Sequence, residues 1–299
     1  MSSVVAQTVQ VGGYRFHVRR WQESTETCRG GVSEQVCLQK PVLWLHGFMG
    51  SGNDWDAVIN QCSDLPHSLA PDLPGHGKTE VLGGDESYHM APVAEGIIQL
   101  LDRWEIESCH LVGYSMGGRL ALYLALQYPT RFCRVVIESA SPGLKTTAER
   151  QSRREWDEAI AHDIESTDFR AFLNRWYQQP LFASLSQHPC FPDLLERRLQ
   201  NSPDLLGRSL RYMGSGQQPS LWDALNENAT PILLVVGEHD SKYRRIADEI
   251  GDRHQHCQCV VIPNCGHTVH LEQAKQFINH VQRFFDELPL EYLNTECGD

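Results

Sequence analysis

The sequence has no run of about 18 apolar residues that could cross a membrane as a helix. Its first residues, MSSVVAQTVQ, also lack the basic region followed by an apolar stretch that a secretory signal contains. Positive charge is scarce as well, because 26 Lys and Arg stand against 38 Asp and Glu, a net charge of -12. We therefore expect a cytoplasmic protein with neither nucleic acid nor a membrane as its main partner.

The cysteines are scattered, and no CxxC motif is present among the ten. Several of them, such as Cys109 and Cys133, lie in apolar runs typical of strands. This placement predicts free thiols in a reducing compartment. Cys257 and Cys259 would share one face of a strand, but without CxxC spacing they do not indicate zinc. We predict neither a metal nor a cofactor.

The 299 residues suffice for one large domain with an insertion. Two strands joined by a Gly-Gly turn are expected over residues 4–21, followed by a polar surface loop at 22–38. Short apolar runs then alternate with helical patterns, which predicts an α/β fold with a mostly parallel sheet covered on both faces. The predicted strands are at 42–45, 67–70, 109–114, 133–139, 231–238 and 257–263, and the predicted helices are near 53–62, 89–104, 116–128, 242–251 and 271–286.

Residues 142–222 interrupt this alternation, since they contain no convincing strand and many Arg. We interpret them as a helical lid inserted into a core formed by residues 1–141 and 223–299. Such a lid would cover the carboxyl ends of the strands, where open α/β sheets bind ligands. The alternative is a second structural domain with no part in catalysis.

The stretch HLVGYSMGG places Gly113, Ser115 and Gly117 between an apolar strand and a helix. A G-x-S-x-G sequence in that context is typical of a nucleophile elbow, in which a strained turn exposes the Ser hydroxyl. The alternative is an ordinary Gly-rich turn. An elbow would require an acid and a His further along the chain.

Asp240 follows the strand in VVGEHDSKY, and His267 follows the next strand in VIPNCGHTVH. The order Ser, Asp, His is that of the α/β-hydrolases. The rival acids are Glu238 and Glu138, and the rival base is His270. The position immediately after a strand favours Asp240 and His267 as partners of Ser115.

An oxyanion site is indicated by His46-Gly47-Phe48, which follows an early strand in LWLHGFMGSGNDW. The backbone N–H of Phe48 and that of Met116 would hold a developing oxyanion. His76, in APDLPGHG, is expected to shape its loop rather than take part in chemistry.

With these motifs the sequence resembles the α/β-hydrolases along nearly its full length. The runs WYQQPLFASL at 176–185, SPGLKTTAERQ at 141–151, GYSMGGR and GEHDSK resemble one family in particular, the 2-succinyl-6-hydroxy-2,4-cyclohexadiene-1-carboxylate synthases of menaquinone and phylloquinone biosynthesis. The resemblance implies a mostly parallel eight-stranded sheet flanked by helices, with a helical lid. It also implies a lyase that eliminates pyruvate from 2-succinyl-5-enolpyruvyl-6-hydroxy-3-cyclohexene-1-carboxylate, with Ser115 as the base rather than as an acylated nucleophile.

The substrate of that family is a small molecule with several carboxylates, which would explain Arg119. This residue lies one helical turn after Ser115, and a guanidinium binds a carboxylate through two hydrogen bonds. By resemblance Arg150 and Arg198 would join it from the lid, and Tyr114 and Trp176 would contact the substrate.

Two other functions stay open on the sequence. A serine hydrolase of carbon–carbon, ester or thioester bonds would use the same three residues with Ser115 as nucleophile. A receptor built on a hydrolase fold would bind a small ligand under the lid without turnover. We expect a monomer or a homodimer.

Overall fold

The computed structural model describes residues 3–22, 40–62 and 67–287. The predicted loop at 22–38 therefore lies, from residue 23 onward, outside the described residues. In the described part of the chain, no helix has the length and the apolar content needed to cross a membrane.

One sheet organises the described chain. Its strands are β1 Ser3–Val11, β2 Tyr14–Gln22, β3 Val42–Leu45, β4 Ser68–Pro71, β5 Glu80–Val81, β6 Cys109–Tyr114, β7 Phe132–Glu138, β8 Ile232–Gly237 and β9 Cys257–Ile262. They lie in the order β1-β2-β4-β3-β6-β7-β8-β9, with the short β5 beside β2. The pairs of β2 with β1, β4 and β5 are antiparallel, and all pairs from β4 to β9 along this order are parallel. The mostly parallel sheet predicted from sequence is thus confirmed, with the two-residue β5 as an addition.

Helices cover both faces of the sheet, because each buried strand alternates its side chains between two apolar cores. The α-helices are α1 Asp56–Ile59, α2 Met90–Arg103, α3 Met116–Gln127, α4 Thr147–Ser166, α5 Phe169–Trp176, α6 Phe191–Arg198, α7 Pro203–Met213, α8 Ser241–Gly251, α9 Val269–Glu272 and α10 Ala274–Asp286. In β3, Leu43 and Leu45 pack into the core that contains α2, α3 and α8, whereas Val42 and Trp44 pack into the core that contains α1 and α10.

The segment between β7 and β8 is helical and contains no strand, as its sequence predicts. The helix α4 begins at a capping box in which Thr146 and Glu149 satisfy each other's backbone N–H groups. Side chains of α4 to α7 form a third apolar core, which also contains Met49 from the loop after β3. Because this core is shared with that loop, the division into a sheet core and a lid stays a prediction.

Candidate active site

Ser115 lies in the sharp turn between β6 and α3, with φ 51° and ψ -106°. A left-handed backbone at a residue with a side chain is strained, and the surrounding packing must hold it. Its N–H donates to the carbonyl of Glu138 on the neighbouring strand at 2.9 Å. At Gly117 an added Cβ would collide with the carbonyl oxygen of Leu45, so only Gly lets α3 approach β3 this closely. The local structure is that of the predicted elbow.

His267 and Asp240 approach Ser115 from the loops after β9 and β8. The Nε2 atom of His267 is 3.2 Å from the Ser115 hydroxyl, and its Nδ1 donates to Asp240 at 2.7 Å. Both His267 and Asp240 are buried. Gly237 makes this convergence possible, because a Cβ there would collide with the carbonyl of Gly266 in the His267 loop. The structure therefore brings the three predicted residues into hydrogen-bonding reach, and their catalytic roles stay predictions.

The rival residues from the sequence pair elsewhere. Nδ1 of His270 is 2.9 Å from the carboxylate of Glu138, and both residues are buried. Glu238 is exposed and accepts a hydrogen bond from the backbone N–H of Asn264 at 2.9 Å. None of these three side chains forms a hydrogen bond with Ser115, so the geometry favours Asp240 and His267.

The two residues predicted to form an oxyanion site lie beside the hydroxyl. Met116 is the first residue of α3, so its N–H has no acceptor within the helix. Phe48 follows β3, the strand that pairs with β6. Both residues line the cavity that contains Ser115. A helix N-terminus favours negative charge, which suits this position for an oxyanion.

A cavity of about 330 Å³ opens above Ser115 between the sheet and the helical segment. Tyr114, Trp176 and Arg198, three of the predicted contact residues, line it. Trp176 packs against Phe48 with ring centroids 5.9 Å apart, so an aromatic wall joins the helical segment to the loop after β3. The hydroxyl of Tyr114 lies 3.0 Å from that of Thr268, beside the His267 loop. The volume suits a small molecule.

Arg119 is a buried cation in this cavity, with 9% of its surface exposed. Its nearest polar partner is the side-chain oxygen of Gln218 at 3.4 Å, and none of the ion pairs within the described residues includes it. Burial lowers the pKa of Arg119 to about 10, since a charged group loses hydration there. A buried guanidinium without a counter-ion is costly unless an anion binds to it.

Two further cations, Arg153 and Lys242, line the cavity. Neither was predicted from the sequence. Nε of Arg153 donates to Asp157 at 2.7 Å. Burial, together with the nearby charge of Arg153, lowers the pKa of Lys242. The motif GEHDSK contained the position of Lys242, but nothing in the sequence showed that its side chain reaches the cavity.

Arg198 also lines the cavity, but its charge is already compensated. Its two terminal nitrogens donate to Asp54 at 2.9 and 2.7 Å, and Nε donates to the hydroxyl of Tyr177. Burial alone would lower the pKa of Arg198, but the charge of Asp54 and the interactions with Tyr177, together with the hydrogen bonds to both residues, raise that pKa. This ion pair joins the end of α6 to the loop after β3.

The predicted position of Arg150 differs from the observed one. Its guanidinium donates to the carbonyls of Leu144 and Lys145 and to the hydroxyl of Thr147, and it is not among the residues that line the cavity. The carbonyls that precede α4 thus hold Arg150 at the start of its own helix. Arg153, about one turn further along, reaches the cavity instead.

His46 and His76, in the loops after β3 and β4, contact the backbone and each other. His46 accepts the N–H of Leu73 at Nε2 and donates to the carbonyl of Gly47. Its ring packs on that of His76 with centroids 5.2 Å apart. Burial lowers the pKa of both imidazoles, that of His76 well below its usual value. Both rings therefore stay neutral and support the loop of Phe48.

Six cysteines of the described ranges are free thiols: Cys109, Cys133, Cys190, Cys257, Cys259 and Cys265. Across the residues that the structure describes, no group of three or more His, Cys, Asp or Glu side chains could hold a metal ion.

Comparison with known proteins identifies the family. The sequence model of the alpha/beta hydrolase fold family matches residues 40–274 of this chain. The 2-succinyl-6-hydroxy-2,4-cyclohexadiene-1-carboxylate synthase of Enterobacter sp. (strain 638) is 37% identical over 77% of this chain and 86% of its own. The protein PHYLLO, chloroplastic, of Arabidopsis thaliana is 31% identical over 97% of this chain, which matches 17% of that longer protein.

Among solved structures, MenH from S. aureus superposes with a TM-score of 0.81 and 31% identity, covering 90% of this chain and 97% of its own. An epoxide hydrolase, CorEH, superposes with a TM-score of 0.75 but is only 18% identical, so it shows the fold alone. The fold and the family predicted from sequence are confirmed. The chain belongs to the α/β-hydrolase fold family and, within it, to the family of the 2-succinyl-6-hydroxy-2,4-cyclohexadiene-1-carboxylate synthases.

Proposed function

We propose that this protein is a carbon–oxygen lyase that converts 2-succinyl-5-enolpyruvyl-6-hydroxy-3-cyclohexene-1-carboxylate into 2-succinyl-6-hydroxy-2,4-cyclohexadiene-1-carboxylate and pyruvate. The observation that carries the proposal is a Ser–His–Asp arrangement that opens into a small cavity with a buried, uncompensated guanidinium. Family membership supplies the identity of the substrate.

The reaction removes a proton from ring carbon 2, next to the succinyl ketone. The electrons form the new double bond at carbon 2, the ring double bond shifts to carbon 4, and the bond from carbon 5 to the ether oxygen breaks. The departing enolpyruvate takes up a proton and becomes pyruvate. Water is not consumed, so the site needs a base and an oxyanion site but no bound nucleophilic water.

In the proposed mechanism, His267 takes the proton of Ser115 through Nε2, and the Ser115 oxygen removes the carbon-bound proton. Asp240 accepts from Nδ1 and so fixes the tautomer in which Nε2 faces the hydroxyl. The N–H groups of Phe48 and Met116 hold the enolate oxygen, where each such donor contributes on the order of 3 kcal/mol in related sites.

The cavity cations would bind the carboxylates of the substrate, which has one on the ring, one on the succinyl chain and one on the enolpyruvyl group. Arg119 is the strongest candidate, because no carboxylate among the described residues forms an ion pair with it. Lys242 would add positive charge on the side of α8, whereas Arg153, paired through Nε with Asp157, would contribute its remaining N–H groups from α4. Arg198, paired with Asp54, would contribute its remaining N–H groups rather than net charge.

The test is an assay of purified protein with the enolpyruvyl substrate, in which pyruvate release and loss of the enolpyruvyl group are followed together. We expect both at equal rates, with no acyl group on Ser115 by mass spectrometry during turnover. The Ser115→Ala variant is the matched control and should release pyruvate at the background rate. Hydrolysis of chromogenic esters with an acylated Ser115, and no pyruvate, would instead identify a serine hydrolase.

We further propose that the protein acts in the cytoplasm as a monomer or homodimer, without a metal or cofactor. The free thiols support a reducing compartment, and the net charge of -12 argues against nucleic acid as a partner.

A further inference from the structure

Two buried carboxylates outside the Ser–His–Asp arrangement contact the loop that carries His267. The carboxylate of Glu272, 7% exposed, accepts the N–H of Gly266 at 3.1 Å through one oxygen and that of Thr268 at 3.3 Å through the other. One carboxylate therefore holds the backbone N–H groups on both sides of His267.

Glu138 connects the same loop to the elbow. Its carbonyl accepts the N–H of Ser115 at 2.9 Å. Its carboxylate, fully buried, accepts the backbone N–H of His270 at 3.1 Å and Nδ1 of the same residue at 2.9 Å. Glu138 thus contacts both the backbone of Ser115 and His270, which lies three residues after His267.

Tyr114 lies between the two imidazoles and transmits the same constraint. Its ring centroid is 5.4 Å from that of His267 and 4.7 Å from that of His270. Its hydroxyl contacts Thr268, whose N–H is held by Glu272. These contacts couple the position of the Tyr114 ring to that of the loop that carries His267.

We propose that Glu138 and Glu272 are positioning residues that set the distance between Ser115 and His267. A carboxylate suits this role because its two oxygens accept only, and each contact is with an N–H group. The distance from Nε2 of His267 to the hydroxyl oxygen of Ser115 is 3.2 Å, and proton transfer between these two atoms requires that they stay within hydrogen-bonding reach. A misplacement of about 1 Å can cost about 100-fold in rate.

Glu272→Gln is the main test, because the amide keeps the size of the side chain but turns one acceptor into a donor. The new NH₂ group would face the N–H of either Gly266 or Thr268, so one side of the loop loses its anchor. We expect kcat to fall about tenfold to 100-fold, with KM changed less than about twofold, since the cavity cations are untouched. Glu138→Gln should act in the same direction.

Two readouts do not depend on the substrate and separate this inference from the proposed function. The rate at which a fluorophosphonate modifies Ser115 should fall in parallel with kcat, because that reaction also needs His267 as base. The low-field proton NMR signal of the Nδ1–H that joins His267 to Asp240 should shift or broaden. A protein that modifies Ser115 normally but releases no pyruvate would count against the proposed function alone.

Glu238→Gln is the matched control. Glu238 lies at the same end of the sheet and its carboxylate accepts one backbone N–H, that of Asn264, but it forms no hydrogen bond with residues 266–270. Its single hydrogen bond can be kept by the amide oxygen, so kcat and the NMR signal should stay unchanged.

The inference is overturned if folded Glu272→Gln, assayed well below its melting temperature, keeps both the rate of Ser115 modification and the NMR signal of the unmodified protein. A variant that only melts earlier, with both readouts unchanged, would assign Glu272 a purely stabilising role. If the Gln variants do not fold, Glu272→Asp decides, since it keeps the charge but is too short to reach both N–H groups. It should show the same changes to a smaller degree.

Discussion

Replacement of Arg119 by Met tests whether the cavity binds an anion, and the structure predicts opposite effects on activity and on stability. The guanidinium is 9% exposed, contacts Gln218 at 3.4 Å and has no carboxylate partner among the described residues. Methionine fills a similar volume without the charge. We therefore expect a variant that is less active but more stable.

The magnitudes follow from the burial of the charge. A pKa of about 10 in place of 12.5 corresponds to about 3 kcal/mol by which the folded environment disfavours the charged form. Removal of the charge should therefore raise the free energy of unfolding by up to about 3 kcal/mol, less any loss of packing. The substrate carboxylate would lose its partner, at about 2 to 4 kcal/mol, or about 30-fold to 900-fold in kcat/KM.

The assay is pyruvate release at substrate concentrations far below KM, together with urea denaturation of the free protein. Arg119→Lys is the control: it keeps the charge but offers one ammonium group in place of the planar guanidinium, so its loss of activity should be smaller. An unchanged kcat/KM in Arg119→Met would remove Arg119 from the binding site. A variant that is both inactive and clearly less stable would show that the guanidinium is structural.

Three further predictions follow. Arg153→Ala should lower kcat/KM about tenfold to 100-fold, whereas Arg150→Ala should change it less than about twofold, because only Arg153 reaches the cavity; equal effects would contradict the placement of α4. Asp240→Asn should reduce pyruvate release about 10³-fold to 10⁴-fold by favouring the wrong His tautomer, and a near-normal rate would exclude Asp240 as the acid. Burial lowers the folded pKa of His76 well below 6.5, so the stability that it contributes is complete above about pH 6.5 and is lost as the pH falls. Between pH 7 and pH 5, the free energy of unfolding should therefore fall less steeply in His76→Gln than in the unmodified protein, with a difference in slope of up to about 1.4 kcal/mol per pH unit. Equal slopes for the two proteins would contradict this prediction.

The order of strands and helices was open to prediction because it follows from local patterns. Burial of the sheet on both faces is indicated by the continuous apolar run VLWL of β3, and the elbow is indicated by the Gly residues around Ser115. Most boundaries shifted by a residue or two, but the helix predicted near 53–62 is an α-helix only over Asp56–Ile59, and the one predicted near 271–286 is divided into α9 and α10. The two-residue β5 was missed, since so short a pairing leaves no periodicity to detect.

The site residues that could be predicted are those that directly follow a strand or lie one helical turn from Ser115. Strand order fixes where Asp240 and His267 emerge, and helix geometry fixes the direction of Arg119. Gln218, by contrast, lies in a segment without regular structure, and its contact with Arg119 depends on how the chain returns from α7 to β8. No local pattern carries that information.

The sequence alone determined the fold and the three residues that converge on the elbow, because these are specified by spacing along the chain, and it indicated the family through the resemblance of its motifs. Only the tertiary structure decided which Arg of α4 enters the cavity, that Arg198 is neutralised by Asp54, and that Glu138 pairs with His270 rather than with His267. The physical reason is that these choices depend on how a helix is rotated against the sheet and on which buried charges find partners. Rotation and partner are set by packing between segments far apart in the chain, which one sequence does not encode in any local pattern.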